Sequence, residues 1–209
     1  MKTLLFPLCF AIAVAGCTKK QNLETPSLTD SAVSNQPMVH VHPQMLINPG
    51  ISIGMTAIEE STSKLAALGQ PDESDAAMGK AWLTWYAKNQ DTMPDELNIY
   101  TTYKDKERNE KVIRQIRVTS SEFKTKEGIN TQSSLAEIKS LFPNIQPVGK
   151  FDHPDNKIEV MVYDDVQSGI AFEIENPHGK DRCSAIIVHP KNKKVTEEYL
   201  YLHPYMVVL

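Results

Sequence analysis

The chain predicts an α+β protein made of two tandem α-β-β-β repeats, each an antiparallel sheet covered on one face by a helix. Three observations lead there. A helix-like segment recurs at an offset of 73 residues, 61–69 against 134–142, with Leu65 matching Ile138 and Leu68 matching Leu141. Strand-like segments follow each copy at nearly the same spacing: 81–87 corresponds to 157–163, 97–103 to 170–176, and 112–118 to 183–189. In the second copy Ile158, Val160 and Val162 alternate with Glu159, Met161 and Tyr163, and Ile170, Phe172 and Ile174 alternate with Ala171, Glu173 and Glu175. Such alternation fits sheets with one apolar face, which the helix of each repeat can cover.

The first element is not part of the fold. Residues 1–16 carry a basic start at Lys2, an apolar block over 4–15 and small residues before a cleavage point. The block falls short of the roughly 20 residues that span a bilayer, and Pro7 interrupts it. Val14-Ala15-Gly16-Cys17 follows. This stretch resembles the lipobox of bacterial lipoproteins. The resemblance implies cleavage before Cys17, a diacylglyceryl thioether on its thiol and an acyl chain such as palmitate on the new amine. Each buried methylene contributes about 0.8 kcal/mol, so three chains hold the protein at a membrane. Thr18 rather than aspartate after the cysteine implies the outer membrane, with the folded part facing the periplasm. An ordinary secretory signal with an incidental Cys17 is the plainer alternative.

Composition bounds the rest. The chain has 22 basic and 26 acidic residues; removing 1–16 takes away Lys2 and leaves 21 against 26, a formal −5. Nucleic-acid binding is disfavoured, since it calls for a basic footprint. With Cys9 in the leader and Cys17 lipidated, Cys183 is alone and no internal disulfide is expected. Residues 17–47 are rich in Ser, Thr, Pro, Asn and Gln and read as a lipidated, flexible tether. Within it, His40 and His42 would point to one side of an extended chain. No spaced third ligand is visible, so no metal is expected.

The folded part divides into repeat 1, over 48–124, and repeat 2, over 125–209. The first helix has two possible starts. Ser61 is one N-cap, and Thr56 with Glu59 is a competing capping box a turn earlier; Gly69 and Pro71 end it. Ser134 with Glu137 is a capping box for the second, and Pro143 ends it. Hairpins are expected at 104–109, 164–168 and 176–181. Residues 198–202 are expected to form a last strand, and the apolar end Met206-Val207-Val208-Leu209 to dock on the domain or bind a partner.

Gly50-Ile51-Ser52-Ile53-Gly54-Met55-Thr56, ending in Leu68-Gly69-Gln70-Pro71-Asp72, resembles the signature of the outer-membrane assembly lipoprotein family BamE. Residues 116–118 and 123–129 resemble a motif of uncharacterised envelope lipoproteins, and the tandem plan is similar to the β-lactamase inhibitor protein fold. These resemblances imply helix-plus-sheet repeats and an envelope protein that works by contact with other proteins. The second copy has Gln132-Ser133-Ser134 where Gly-Met-Thr stands in the first.

No G-x-S-x-G elbow, P-loop, H-E-x-x-H or G-x-G-x-x-G occurs, so no catalytic role and no cofactor is expected. Aligned with Ile158 and Val160, Leu83 and Trp85 belong to the core. That places Trp82 and Tyr86 on the opposite face, with Tyr100, Tyr163 and Arg117 beside them. Trp, Tyr and Arg are the residues of binding hot spots. The expected working surface is therefore a partner-binding sheet face carrying Trp82, Tyr86, Tyr100, Arg117 and Tyr163. The plainer alternative packs these rings between the repeats. The function expected is a non-catalytic outer-membrane lipoprotein that serves as accessory, scaffold or inhibitor. The alternative is a module binding a small molecule, lipid or glycan between the repeats. An enzyme using Cys183 would need that thiol exposed, with His178 or His189 in reach.

Overall fold

The strands of both repeats join a single sheet in the computed structural model. It describes residues 41–88, 94–153, 157–199 and 202–209; Cys17 and His40 lie outside the described residues. In chain order the strands are β1 (Leu46–Asn48), β2 (Ser52–Ile53), β3 (Thr56–Ala57), β4 (Glu73–Ala77), β5 (Lys80–Tyr86), β6 (Glu96–Tyr103), β7 (Lys111–Val118), β8 (Lys124–Thr125), β9 (Gln146–Asp152), β10 (Glu159–Asp165), β11 (Ile170–Glu175), β12 (Arg182–Val188) and β13 (Val207–Val208). Strands β3-β2-β1-β8 form a small mixed sheet. The large sheet is antiparallel throughout, in the order β13-β9-β10-β11-β12-β7-β6-β5-β4.

This architecture overturns the expected α+β class. The chain is mostly β, and its described α-helices are α1 (Leu135–Leu141) and one turn, α2 (Thr196–Tyr199). Each helical segment is followed by four strands, not three. The two last strands, β7 and β12, pair through Ile186–Val118, Ile187–Arg117 and Val188–Ile116. The halves therefore share one sheet instead of each closing its own under a helix. Their strand orders mirror each other about the Arg117–Ile187 pair, with β13 added beyond β9.

Of the two possible starts, the first helical segment takes Ser61. It is a 3-10 helix over Thr62–Leu68, opened by Ser61 and ended by Gly69 at φ 79°. Thr56 caps nothing; it lies in β3, and Gly54-Met55 form the turn from β2. In the second half the Ser134–Glu137 capping box is complete: the Glu137 carboxylate accepts the Ser134 N–H at 2.7 Å, and the Ser134 hydroxyl accepts the Glu137 N–H at 3.3 Å. The Ser134 N–H, and then the Ser134 hydroxyl donating at 2.9 Å, hold the Glu137 carboxyl below the usual carboxylate range. Of the strand expected at 198–202, Glu198 and Tyr199 belong to α2 and residues 200 and 201 lie outside the described residues; the terminal pairing falls to β13.

Both faces of the large sheet are covered. On the helix side, Leu65 and Ile138 pack with Ile99, Ile113, Ile116, Phe172, Ile174 and Ile186. Ile47, placed in the tether by composition, is buried there as well. Equivalent β-bulges shape this face: β7 takes an extra residue at Arg114 and β12 one at Ser184. Each bulge breaks the alternation once, so Ile113 and Ile116 share a face, as do Cys183 and Ile186. On the far side, Trp82, Tyr100, Val160, Val162, Ala171 and Ile187 form a second apolar layer with Phe151 and the tail residues Val195 and Met206. Val160, with Val162 beside it, thus faces away from the helices, contrary to the expectation that aligned Ile158 and Val160 with Leu83 and Trp85. Alternation separates the two faces of β10 but does not tell which of them meets the helices.

The tail is pinned at three points. Gln115 donates to the Val195 carbonyl at 2.7 Å, and the Val195 N–H donates to Asp164 at 2.9 Å. Asp164 also meets His189 Nε2 at 3.0 Å, with both side chains buried. The tail then lays His203 on the Phe151 ring, 3.9 Å between centroids, and ends as β13 along β9.

Candidate functional site

The sheet face away from the helices is apolar near the tail and polar at its centre. Arg117, near the end of β7, points its guanidinium onto this face and is nearly buried. Nε and Nη2 donate to the two carboxylate oxygens of Glu173 at 2.5 and 2.9 Å, a bidentate fork from β11. Nη1 donates to Glu96 at 2.8 Å and to Asn98 Oδ1 at 2.7 Å, both on β6. Asn98 in turn donates to Thr84 on β5 at 3.0 Å. On the neighbouring strands Arg182 pairs with Glu175. The network stitches β5, β6, β7 and β11 together across the junction of the halves.

Above it lies a groove of about 810 Å³ spanning both halves. Arg117, Asn98 and Glu173 form its floor; Tyr86, Gln132 and His153 stand among its walls. The Tyr86 hydroxyl is pushed up to about 12, first by burial and then by hydrogen bonding and charge from Glu73, with Glu96 and Asp72 adding to it. His203 is held down at about 4, mainly because burial penalises its cation. Carboxylates outnumber guanidinium groups along the groove, so its electrostatics favour a cationic or strongly hydrogen-bonding ligand.

A second, smaller recess opens at the other end of β5 and β6. It holds about 180 Å³ and is lined by Asp75, Ala77, Met78, Lys80, Ala81, Trp82 and Tyr100. Trp82 and Tyr100 stack at its base in a tilted pair, 5.3 Å between centroids.

The structure brings Trp82, Tyr86, Tyr100 and Arg117 onto one face, as the sequence predicts, but changes their roles. Trp82 and Tyr100 are buried at 4% and 0% exposure, so they pack more than they present. Arg117 directs its donors to carboxylates of its own sheet. Tyr86 alone of the four stands partly open on the groove. Tyr163 is on the opposite face, packed on the helix-side core with Lys139 5.3 Å above its ring. The expected aromatic hot spot is therefore dispersed. What sequence reasoning missed is the carboxylate set. Glu173 and Glu175 on the polar side of β11, and Arg117 on the polar side of β7, are the signal that was present; the pairing of β7 with β12 was not.

Cys183 is buried, its Sγ lies 3.2 Å from the Ala185 carbonyl, and burial pushes its thiol far up. That is the opposite of an activated nucleophile. Among the described residues no cluster of three metal-ligating side chains occurs. No described helix is long and apolar enough to cross a membrane.

No protein family's profile matches the chain, and no curated protein matches it significantly. Among solved structures, a DUF4309 family protein (YjgB) from Bacillus subtilis aligns at 13% identity over 68% of this chain and 88% of that one, with a TM-score of 0.39. A likeness this slight carries neither fold nor function across.

Proposed function

We propose that this chain is a non-catalytic outer-membrane lipoprotein, anchored through Cys17 and facing the periplasm, that works by binding another envelope protein. The lipobox-like residues 14–17 and the polar stretch behind them support the anchor. The groove over the Arg117 network supports the binding role. Its floor is fixed by charge-assisted bonds, so a partner meets a surface whose polar groups are already oriented. The acidic balance of the groove suits a partner segment carrying lysine or arginine. Crosslinking in native membranes, with the full-length chain as bait and mass spectrometry as readout, tests this. A reproducible envelope partner is expected, and it should be lost when Tyr86→Ala and Gln132→Ala are combined in a folded protein. A partner retained unchanged by that variant would show that the groove is not the binding surface.

A second reading has one observation in its favour. At about 810 Å³ the groove is within the range of small-molecule sites, and its polar lining suits a glycan better than a lipid. Calorimetry with periplasmic glycan fragments separates the two: heat of binding abolished by the same double variant supports the glycan, and its absence returns the groove to a protein partner.

A further inference from the structure

The two ends of the large sheet are built on one plan and finished differently. In the second half, β9 is covered by the chain's own β13, with Val207 paired to Lys150 and Val208 to Gly149. The preceding residue, Met206, is buried on the far face against Gly149 and Phe151. In the first half, β4 occupies the corresponding place. Asp75 pairs with Trp82 as Gly149 pairs with Val162, and Ala77 pairs with Lys80 as Phe151 pairs with Val160. Yet β4 has a described strand on one side only, and all five of its residues are exposed.

The recess beside Trp82 and Tyr100 is the counterpart of the space that Met206 and Phe151 fill. Asp75 stands where Gly149 makes room, and Ala77 leaves open what Phe151 occupies. The outward backbone groups of β4 are also defined. Met78 and Gly79, at φ 51° and 86°, make a two-residue turn with both central residues left-handed. That turn makes Ala77 and Lys80 a hydrogen-bonded pair, so Ala76 and Ser74 turn their N–H and C=O away from β5. Asp72, Glu73 and Asp75 make this edge acidic.

We propose that β4 is a strand-addition site: an extended segment of a partner protein pairs with it as β13 pairs with β9, and sets an apolar side chain into the Trp82/Tyr100 recess between flanking lysine or arginine residues. Main-chain bonds to Ser74 and Ala76 supply the pairing, and the recess and the acidic edge supply the selection. This rests on reading the molecule as a binding protein but does not require the groove to be the surface used.

The probe is a synthetic peptide, Lys-Lys-Tyr-Met-Val-Val-Leu-Lys, which copies the chain's own end between added lysines and is mixed with the full-length protein. Amide exchange at Ser74 and Ala76 is expected to slow by about tenfold or more. A version with glutamate in place of lysine is expected to bind at least about tenfold more weakly. Ala77→Phe, which fills the recess, and Ala76→Pro, which removes an outward donor, should each abolish binding while circular dichroism stays unchanged. Unaltered exchange at Ser74 and Ala76 at millimolar peptide, or equal affinity in both variants, would overturn the site. Protection appearing at Thr84 and Asn98 instead would also overturn it, while leaving the groove reading in place.

Discussion

The two halves of the large sheet share strand order, bulges and a helical lead-in, yet one is sealed and the other is not. The second half buries Val160 and Val162 under its tail and closes its edge with β13. The first half keeps polar Thr84 and Asn98 on the same face and leaves β4 uncovered. The junction differs in the same way: Arg117 and Ile187 sit opposite each other, one charged and one apolar. A duplicated plan is thus finished in two ways: one half closes its outer edge with the chain's own tail, and the other leaves a free edge, while both line the polar groove between them.

The largest test of that division is at Arg117. Replacing it by Met takes the bidentate guanidinium partner from the buried Glu173 carboxylate, and about 3–5 kcal/mol of unfolding free energy is expected to be lost in denaturant titrations. Adding Glu173→Leu should restore most of it. If Arg117→Met alone costs no more than the roughly 0.5 kcal/mol of a surface change, the polar centre is not what joins the halves.

Next come two probes of the seal. Asp164→Ala removes the acceptor of both His189 and the Val195 N–H; about 3 kcal/mol should be lost, with earlier proteolysis of residues 196–209. His203 gives the seal a pH dependence. Its folded value of about 4 lies below its ordinary 6.5, so between those values the unfolded chain binds a proton that the folded one does not. Stability is therefore full above about pH 6.5 and falls as the pH drops toward 4, by up to about 3 kcal/mol. Denaturant midpoints at about pH 7 and about pH 4.5 should show a smaller drop in His203→Gln than in the parent chain. Equal drops would place the titration elsewhere.

The smallest effect compares equivalent positions. A Cβ at Gly149 would lie 2.9 Å from the Met206 sulfur. Because Met206 can bend, Gly149→Ala should cost only about 1 kcal/mol. Asp75→Ala, at the matching place on the open edge, should stay within about 0.5 kcal/mol.

Much of this was legible in the sequence, and what was not has physical causes. Strands β5, β6, β7, β10, β11 and β12 lie where β-branched and aromatic residues mark them, and Ser134 with Glu137 marks the start of α1. β4 was hidden because Glu73-Ser74-Asp75-Ala76-Ala77 is poor in β-formers and exposed on both sides. β9 was hidden by Pro147 and Gly149. The fold class was misjudged because β7–β12 pairing is non-local and leaves no trace in either strand alone. For the site, Arg117 and Tyr86 were readable from alternation. Tyr163 was not. Paired positions of the halves differ by 80 residues at Trp82 and Val162, 73 at Tyr100 and Glu173, and 70 at Arg117 and Ile187. A nearly constant offset therefore slips the phase, and a slip of one residue exchanges the faces.

The most direct test of sealed against open halves is amide exchange in the full-length chain at Ala76 and Lys150, which hold matching places on β4 and β9. Lys150 lies under β13, and the Leu209 N–H bonds the nearby Val148 carbonyl at 3.1 Å. The Ala76 amide should exchange close to the rate of an open chain, and the Lys150 amide should be protected at least about a hundredfold more. Equal protection at the two positions would contradict the division, because the edge of the first half would then already be covered.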